Sequence, residues 1–207
     1  RGQNNVQGAS DAGLIPMVYP DYQPVEDPDI RKGFEDKWGR SLDPLKGLTV
    51  VEIMNKIHSG VISGMYVMGE NPAMSDPDQN HARSGLSKLD HLVVQDIFLT
   101  ETAWFADVIF PASAQPEKAG TYTNSNRQVQ IAFPVRQPPG DSRQDWRLIV
   151  DLANRCGLNW TYSAVSEIYD EMASTMSSLN NISWSRLEKE GAVCYPADDI
   201  SSPGTEI

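Results

Sequence analysis

Residues 65–111 read MYVMGENPAMSDPDQNHARSGLSKLDHLVVQDIFLTETAWFADVIFP, and their apolar pattern indicates the fold class. Short apolar runs bounded by glycine, proline and polar residues are typical of buried strands. Those runs occupy residues 65–68, 92–94 and 108–110. Helix signals lie between them, over residues 75–86 and 100–105. Because strands that alternate with helices form parallel, right-handed βαβ units, we expect an α/β fold with a Rossmann-like parallel sheet.

The sequence on either side divides the chain into three parts. Residues 1–47 are rich in proline and glycine with weak apolar periodicity, so we expect a loop-rich active-site leader. A loop-rich segment of this length is usually functional or a connection between larger units. Residues 48–133 are predicted to form the Rossmann-like αβα unit, which opens with the capping-box pattern of Thr49 and Glu52. Residues 134–207 carry helix patterns and are predicted to be a helical connector.

Composition and charge restrict the classes of function. The 207 residues include 17 Lys and Arg against 28 Asp and Glu, a net charge of 17 − 28 = −11, so nucleic acid is not expected as a partner. No apolar window has the length of a membrane span. Two cysteines, Cys156 and Cys194, are too few for an iron–sulfur or structural zinc site. The chain starts at Arg1 without a targeting signal, so we expect a cytoplasmic protein and a piece of a longer chain.

Small and polar residues follow each predicted strand. In an open parallel sheet, ligands bind beyond the carboxyl ends of the strands, so these residues are expected at one edge. An acidic residue such as Asp96 suits ribose hydroxyls, and Ser75 at a helix start suits a phosphate. The candidates are Gly69, Glu70, Asn71 and Ser75 after the first strand, Gln95 and Asp96 after the second, and Ala112 and Ser113 after the third.

These candidates also have purely structural interpretations. Ser75 could be a helix cap, Asn71 a turn residue and Asp96 a solvated strand end. The sequence contains neither a G-x-G-x-x-G nor a G-x-x-x-x-G-K-[ST] motif, and its three histidines form no metal pair or nucleophile–base pattern. The pattern alone therefore predicts a nucleotide-binding edge and no particular reaction.

Several longer stretches match a known family. They are RGQNNVQG at residues 1–8, MGENP at 68–72, VQDIF at 94–98, ADVIFP at 106–111, EKAGTYTN at 117–124 and RQDW at 143–146. In order and spacing they resemble the molybdenum or tungsten formate dehydrogenases, which belong to the molybdopterin bis-guanine-dinucleotide oxidoreductases. The resemblance covers most of the chain and is closest to the large, catalytic (alpha) subunit of the soluble, NAD-linked enzymes.

The resemblance implies roles for individual residues. Arg1 matches the arginine that orients formate beside the metal, a task suited to a bidentate, permanently charged guanidinium. The resemblance puts Asp145 at the cofactor. Its carboxylate is suited to the guanine edge because it can accept two parallel hydrogen bonds, although Asp145 could also be a plain helix cap. Some family members carry serine at position 112, where Ala112 offers only its backbone. The resemblance puts the molybdopterin guanine dinucleotide at Gln3, Asn71, Ser75, Gln95, Asp96 and Asp145, with Ala112 or Ser113 beside it. Gly69 and Glu70 are added to the expected cofactor-binding residues because they follow the first predicted strand.

The resemblance also implies groups that this chain does not carry. In the family, the Cys or selenocysteine that ligates the metal, its neighbouring His and the cysteines of the 4Fe-4S clusters lie upstream of Arg1. We therefore assign no metal ligand here and expect the chain alone to be inactive. The implied partners are the remaining domains of the same subunit, electron-transfer subunits, formate, and NAD through a partner subunit.

Two other interpretations stay open at this stage. The chain could belong to another enzyme of the family, such as an assimilatory nitrate reductase. It could instead be a non-catalytic nucleotide-binding or assembly module. The full-length gene would separate them, because a formate dehydrogenase needs the family's Cys and His together with Arg1, whereas a module needs no upstream cluster domain.

Overall fold

The computed structural model describes residues 4–204, which form two compact units. The helices are α1 (Val6–Asp11), α2 (Pro28–Trp38), α3 (Val50–His58), α4 (Pro72–Ser75), α5 (Gln79–Leu86), α6 (Asp145–Arg155), α7 (Val165–Ser174) and α8 (Trp184–Glu190). The strands are β1 (Val18–Tyr19), β2 (Gln23–Pro24), β3 (Gly64–Met68), β4 (His91–Asp96), β5 (Val108–Pro111), β6 (Gly120–Thr123), β7 (Gln128–Ala132) and β8 (Ala192–Cys194). Within the described residues, no helix is both long and apolar enough to cross a membrane.

The parallel-sheet unit consists of Leu48–Lys118 and Pro134–Trp160. Its sheet has the order β3-β4-β5, and both neighbouring pairs are parallel. Val67 is in register with Val94, which in turn is in register with Ile109. The structure therefore confirms the predicted α/β fold, with each predicted strand in its place.

Helix α3 begins at the predicted capping box. The Thr49 backbone N–H donates to Glu52 Oε2 over 2.7 Å, and the Glu52 N–H donates back to Thr49 Oγ1 over 3.4 Å. The apolar stripe of α3 then buries Met54 and Ile57 against Ala82 of α5. This packing holds α3 and α5 together beside the sheet.

One face of the sheet forms the core of the unit. Val67 on β3 and Leu92 and Val94 on β4 are buried together with Leu86 of α5. These side chains alternate with residues on the opposite face, as the period of two in a strand requires. The buried apolar contacts fix the strand register. The register in turn sets where the carboxyl end of each strand lies relative to its neighbours.

The helix predicted to start at Ser75 starts later. Ser75 ends the single turn α4, and Asp78 caps α5 by accepting from the His81 backbone N–H over 3.0 Å. The break lies at Asp76, whose extended backbone (ψ 134°) is the conformation that a following proline favours. The prediction of one helix over residues 75–86 is therefore wrong in its start.

The hairpin unit consists of the residues up to Gly47, Ala119–Phe133 and the residues from Thr161 onward. Its antiparallel sheet has the order β6-β7-β8. Val129 on β7 and Val193 on β8 are paired and buried, and they pack in a core with Tyr169 of α7 and Leu187 of α8. This core lies between the sheet and the C-terminal helices.

The spatial units group the chain differently from the sequence division at 1–47, 48–133 and 134–207. Ala119–Phe133 lies in the hairpin unit because β7 pairs with β8, which comes from the C-terminal part of the chain. Pro134–Trp160 lies in the parallel-sheet unit. Local sequence patterns do not show which distant strands pair. A division of the chain into consecutive segments therefore does not reflect the pairing of β7 with β8.

The side chain of Asn5, which directly precedes α1, hydrogen-bonds to the backbone of strand β6. Asn5 Nδ2 donates to the Thr121 carbonyl over 3.1 Å, and the Thr123 N–H donates to Asn5 Oδ1 over 2.9 Å. A Cβ atom at Gly8 would lie only 2.2 Å from Asn5 Oδ1. Glycine at this position therefore leaves room for the carboxamide that joins α1 to β6.

Candidate functional site

A cavity of about 250 Å³ lies beyond the carboxyl ends of β3, β4 and β5 in the parallel-sheet unit. Backbone hydrogen bonds extend the ladder to its rim, from Gly69 N–H to the Gln95 carbonyl (2.9 Å) and from Ala112 N–H to the Asp96 carbonyl (3.0 Å). The predicted residues that line it are Gly69, Gln95, Asp96, Ala112, Ser113 and Asp145. The lining residues that the sequence did not single out are Ile97, Ala114, Gln115 and Lys118.

A chain of hydrogen bonds crosses the wall of the cavity. The Tyr66 hydroxyl donates to Gln95 Oε1, and Gln95 Nε2 donates to Asp145 Oδ1 over 2.6 Å. Gln95 is completely buried, so this pairing satisfies both ends of its carboxamide. Burial raises the pKa of the Tyr66 phenol, and the Asp145 charge raises it further, so the phenol remains a donor at neutral pH.

Asp145 also forms an ion pair with Lys118 through its second oxygen, Oδ2. Asp145 is the first residue of α6 and Gln144 is its N-cap, so the carboxylate is not the helix cap that the sequence allowed. Its two partners instead orient it within the cavity lining. Each carboxylate oxygen has further lone pairs, which leaves capacity for a ligand with adjacent N–H donors.

Asp96 presents the second carboxylate of the cavity. Its Oδ1 accepts hydrogen bonds from the backbone N–H groups of Ile97 (2.6 Å) and Phe98 (3.3 Å). The side chain is therefore held by the turn that follows β4. A fixed carboxylate at a strand end is the group that holds ribose hydroxyls in related α/β folds.

Ser113 carries an unsatisfied hydroxyl. Ser113 is completely buried, and its Oγ has no hydrogen-bond partner among residues 4–204. The Ser113 N–H donates to the Arg143 carbonyl over 2.9 Å, which fixes the backbone beside the cavity. A buried hydroxyl without a partner costs free energy, so this atom fits a polar ligand group in the cavity.

Three predicted residues do not line the cavity. Asn71 Oδ1 accepts from the Thr102 N–H (3.1 Å) and hydroxyl (2.7 Å), and Asn71 Nδ2 donates to Glu101 Oε2 over 2.7 Å. The Ser75 hydroxyl donates to Glu70 Oε1 over 2.6 Å. In this structure the three side chains hold neighbouring turns together, while Arg1 and Gln3 lie outside the described residues.

Sequence reasoning missed Lys118, the one cation that residues 4–204 place in the cavity lining. Lys118 lies seven residues beyond β5, after a short 3₁₀ turn over Gln115–Glu117, so it is not adjacent to any strand end. Its signal was present in the EKAG run at residues 117–120, which the resemblance includes without a role for the lysine. Only the folded loop brings Lys118 to Asp145.

Within residues 4–204, the cavity lining combines two carboxylates, one ammonium group, the Ser113 hydroxyl without a hydrogen-bond partner, and the backbone of Gly69. Carboxylates accept from base N–H groups and sugar hydroxyls, and an ammonium group offsets part of their charge. Residues 4–204 contain no cluster of three or more His, Cys, Asp or Glu side chains arranged to hold a metal ion. The two carboxylates, the ammonium group and the Ser113 hydroxyl offer hydrogen-bonding partners to a polar organic ligand.

The cavity lies at the carboxyl ends of a three-stranded parallel sheet, which is where open α/β folds bind their ligands. The family model for molybdopterin oxidoreductases matches residues 3–155, and the chain belongs to that family. The match extends from the leader through the whole parallel sheet into α6, so it includes every residue of the cavity lining.

The matches to known relatives cover the full length of this chain. The chain is 44% identical over 209 residues to the "F420-dependent formate dehydrogenase subunit alpha" of Methanocaldococcus jannaschii, covering 100% of this chain and 30% of that protein. It is 42% identical over 206 residues to a Staphylococcus haemolyticus protein with formate dehydrogenase in its name, covering 100% of this chain and 21% of that protein. The chain therefore spans less than a third of the length of these relatives.

A solved structure confirms the fold. The acetylene hydratase from Pelobacter acetylenicus superimposes with a TM-score of 0.58 at 19% identity, over 74% of this chain and 22% of that one. At this identity the likeness concerns the fold alone.

Proposed function

We propose that this chain is part of the catalytic subunit of a formate dehydrogenase and that its sheet-edge cavity binds the guanine dinucleotide part of a molybdopterin cofactor. The observation that carries the proposal is the Asp145 carboxylate, oriented in the cavity by Gln95 on one oxygen and by Lys118 on the other. Family membership supports a molybdopterin cofactor, and the names of the relatives support formate as the substrate of the parent enzyme.

Asp145 recognises the base. Guanine presents N1–H and N2–H₂ side by side, and a carboxylate can accept both in parallel. Gln95 does not compete for that role because its carboxamide is already shared between Tyr66 and Asp145. Gln95 therefore contributes by orienting Asp145 and by closing the cavity wall.

The sugar and phosphate groups fall to the other lining residues. Asp96 accepts from ribose hydroxyls, and the Ser113 hydroxyl gains the hydrogen bond that it lacks among the described residues. Gly69 and Ala112 contribute backbone, with no bulky side chain to keep a ligand away. We assign Gln3, Glu70, Asn71 and Ser75 to the same cofactor on the strength of the resemblance.

The reaction proposed for the parent enzyme converts formate to CO₂, two electrons and a proton. The molybdenum or tungsten of the bound cofactor supplies the redox chemistry. Arg1 binds the formate carboxylate and orients its C–H bond, because a guanidinium holds a small carboxylate in a bidentate pair. Metal ligands and 4Fe-4S clusters come from other parts of the subunit, and electrons pass to further subunits and to an acceptor such as NAD in the cytoplasm.

Nucleotide analysis of the full-length parent protein tests the proposal. Acid treatment of the purified protein should release GMP, and Asp145→Asn should lower both the GMP content and the formate-dependent reduction of a dye. Asp151→Asn is the matched control, because Asp151 lies on the same helix, is exposed, and pairs with Arg143 outside the cavity lining. Equal GMP content in Asp145→Asn and the control would contradict the proposed guanine site.

A further inference from the structure

The Asp145 carboxylate has a fixed donor on each oxygen. Gln95 Nε2 donates to Oδ1 over 2.6 Å, and Lys118 Nζ contacts Oδ2. The side chains of Lys118 and Asp145 are 29% and 25% exposed, so solvent reaches this pair only in part. The terminal torsion of aspartate is broad and weakly restricted, so a carboxylate with one partner rotates more freely than a carboxylate with two.

The loop that carries Lys118 is itself anchored. The buried Glu117 accepts from the Ala114 N–H over 2.9 Å and pairs with Arg136 over 3.3 Å. The Pro116 carbonyl accepts from the Val135 N–H over 2.9 Å. These bonds fix the backbone on the N-terminal side of Lys118, so the ammonium group is presented to Asp145 from a defined position.

We infer that Lys118 is a positioning residue that gives the site its preference for guanine over bases that lack the N2 amino group. The inference rests on the proposed binding of guanine at Asp145. With both oxygens held, the carboxylate meets N1–H and N2–H₂ together, and the second hydrogen bond adds to affinity because the acceptor is charged. Without Lys118 the carboxylate turns, and a ligand with only N1–H binds nearly as well.

A competing role for Lys118 is direct contact with a ligand phosphate. That role requires the ammonium group to leave Asp145, and it affects every nucleotide monophosphate equally. The two roles therefore differ in base selectivity, which a pair of ligands identical in sugar and phosphate measures. GMP and IMP form such a pair, since IMP lacks only the N2 amino group.

Calorimetric titration of the 207-residue chain with GMP and with IMP tests the inference. The wild-type chain should bind GMP on the order of tenfold more tightly than IMP, as expected for one hydrogen bond to a charged acceptor. Lys118→Met should reduce that ratio to about twofold or less, and Lys118→Arg should restore most of it. Lys32→Met is the control, because it also breaks a Lys–Asp pair, with Asp36, but lies outside the cavity lining.

The possible results distinguish the guanine site at Asp145 from the positioning role of Lys118. A wild-type chain without a GMP preference overturns the proposed guanine site together with the role of Lys118. A wild-type preference that Asp145→Asn abolishes and Lys118→Met leaves intact overturns the role of Lys118 alone. Equal losses of GMP and IMP affinity in Lys118→Met assign the lysine to the phosphate. Thermal unfolding of each variant confirms that the chain is folded in every comparison.

Discussion

Gln95 Nε2 donates a hydrogen bond of 2.6 Å to Asp145 Oδ1 across 50 residues of sequence. The bond joins the carboxyl end of β4 to the first residue of α6, two elements that no local pattern connects. Because Gln95 is completely buried, its carboxamide cannot turn to solvent, and the direction of the bond is set by the Tyr66 hydroxyl on its other side. This bond holds one oxygen of the Asp145 carboxylate in place beside the cavity, and Lys118 contacts the other.

Removal of the Ser113 hydroxyl should separate stability from binding. Ser113→Ala deletes a buried polar group without a partner among residues 4–204, so the free energy of unfolding should stay unchanged or rise by up to about 1 kcal/mol. Affinity for GDP should fall roughly three- to tenfold, since a ligand hydrogen bond is lost. Urea unfolding and calorimetry measure the two effects, and Ser87→Ala, at an exposed serine that donates to Ser84, is the control. A loss of stability with unchanged affinity would contradict this role.

The close contact at Gly8 predicts a strong effect of one methyl group. Gly8→Ala should displace the Asn5 carboxamide from the Thr121 and Thr123 backbone and lower the free energy of unfolding by about 1–3 kcal/mol. Gly33→Ala provides the matched control, because a Cβ at Gly33 in the middle of α2 meets nothing within 4 Å. That control should stabilise the chain by about 0.5–1 kcal/mol. Urea denaturation measures both, and equal effects would refute the contact.

We expect the lowered pKa of Asp21, in the hairpin unit, to make the free energy of unfolding depend on pH. Burial acts to raise the pKa of Asp21, but hydrogen bonds from the Ser177 hydroxyl (2.8 Å) and the Ser178 N–H (3.2 Å) outweigh it and hold the pKa below its ordinary value. The carboxylate therefore stabilises the fold at neutral pH, and this contribution is lost as the pH falls below about 4.

Asp21→Asn should abolish the loss of unfolding free energy that Asp21 causes at low pH, and Ser177→Ala should reduce it. Asparagine is a suitable replacement because position 21 has a φ of 64°, which asparagine tolerates as well as aspartate does. Urea midpoints measured from pH 7 down to pH 2 give the comparison. An acid dependence in Asp21→Asn as steep as in the wild-type chain would assign the effect to other carboxylates.

The isolated chain should not oxidise formate. The resemblance implies that the family's metal ligands and cluster cysteines lie outside these 207 residues, and we propose that the cofactor carries the redox chemistry. With formate and a viologen dye, the purified chain should show the same absorbance change as buffer, while a full-length formate dehydrogenase in the same assay reduces the dye. Formate-dependent dye reduction by the chain alone would contradict the division of roles proposed here.

The sequence predicts the parallel sheet well because its signals are local. The apolar runs at residues 65–68, 92–94 and 108–110 lie within β3, β4 and β5. The capping box of Thr49 and Glu52 is present as predicted. The start of α5 was misplaced because the restriction that Pro77 imposes on Asp76 outweighs the helix signal of Ser75.

The sequence predicts the cavity only in part, because tertiary contacts complete it. Gly69, Gln95 and Asp96 are predicted correctly as cavity residues because they lie at or just beyond the carboxyl ends of the strands. Lys118 comes to Asp145 through an anchored loop, and that arrangement depends on contacts that no short pattern encodes. The Ser113 hydroxyl is buried with no partner in the part of the chain that the structure describes, and this too is a property of the folded site.

Titration of the 207-residue chain with GDP in a calorimeter is the most direct test of the guanine site. The wild-type chain should bind GDP, and Asp145→Asn should weaken binding by about tenfold or more, because an amide N–H₂ then faces the N–H donors of the base. Asp151→Asn should bind like the wild-type chain. Undiminished binding by Asp145→Asn, or no binding by a folded wild-type chain, would contradict a guanine site at the edge of this sheet.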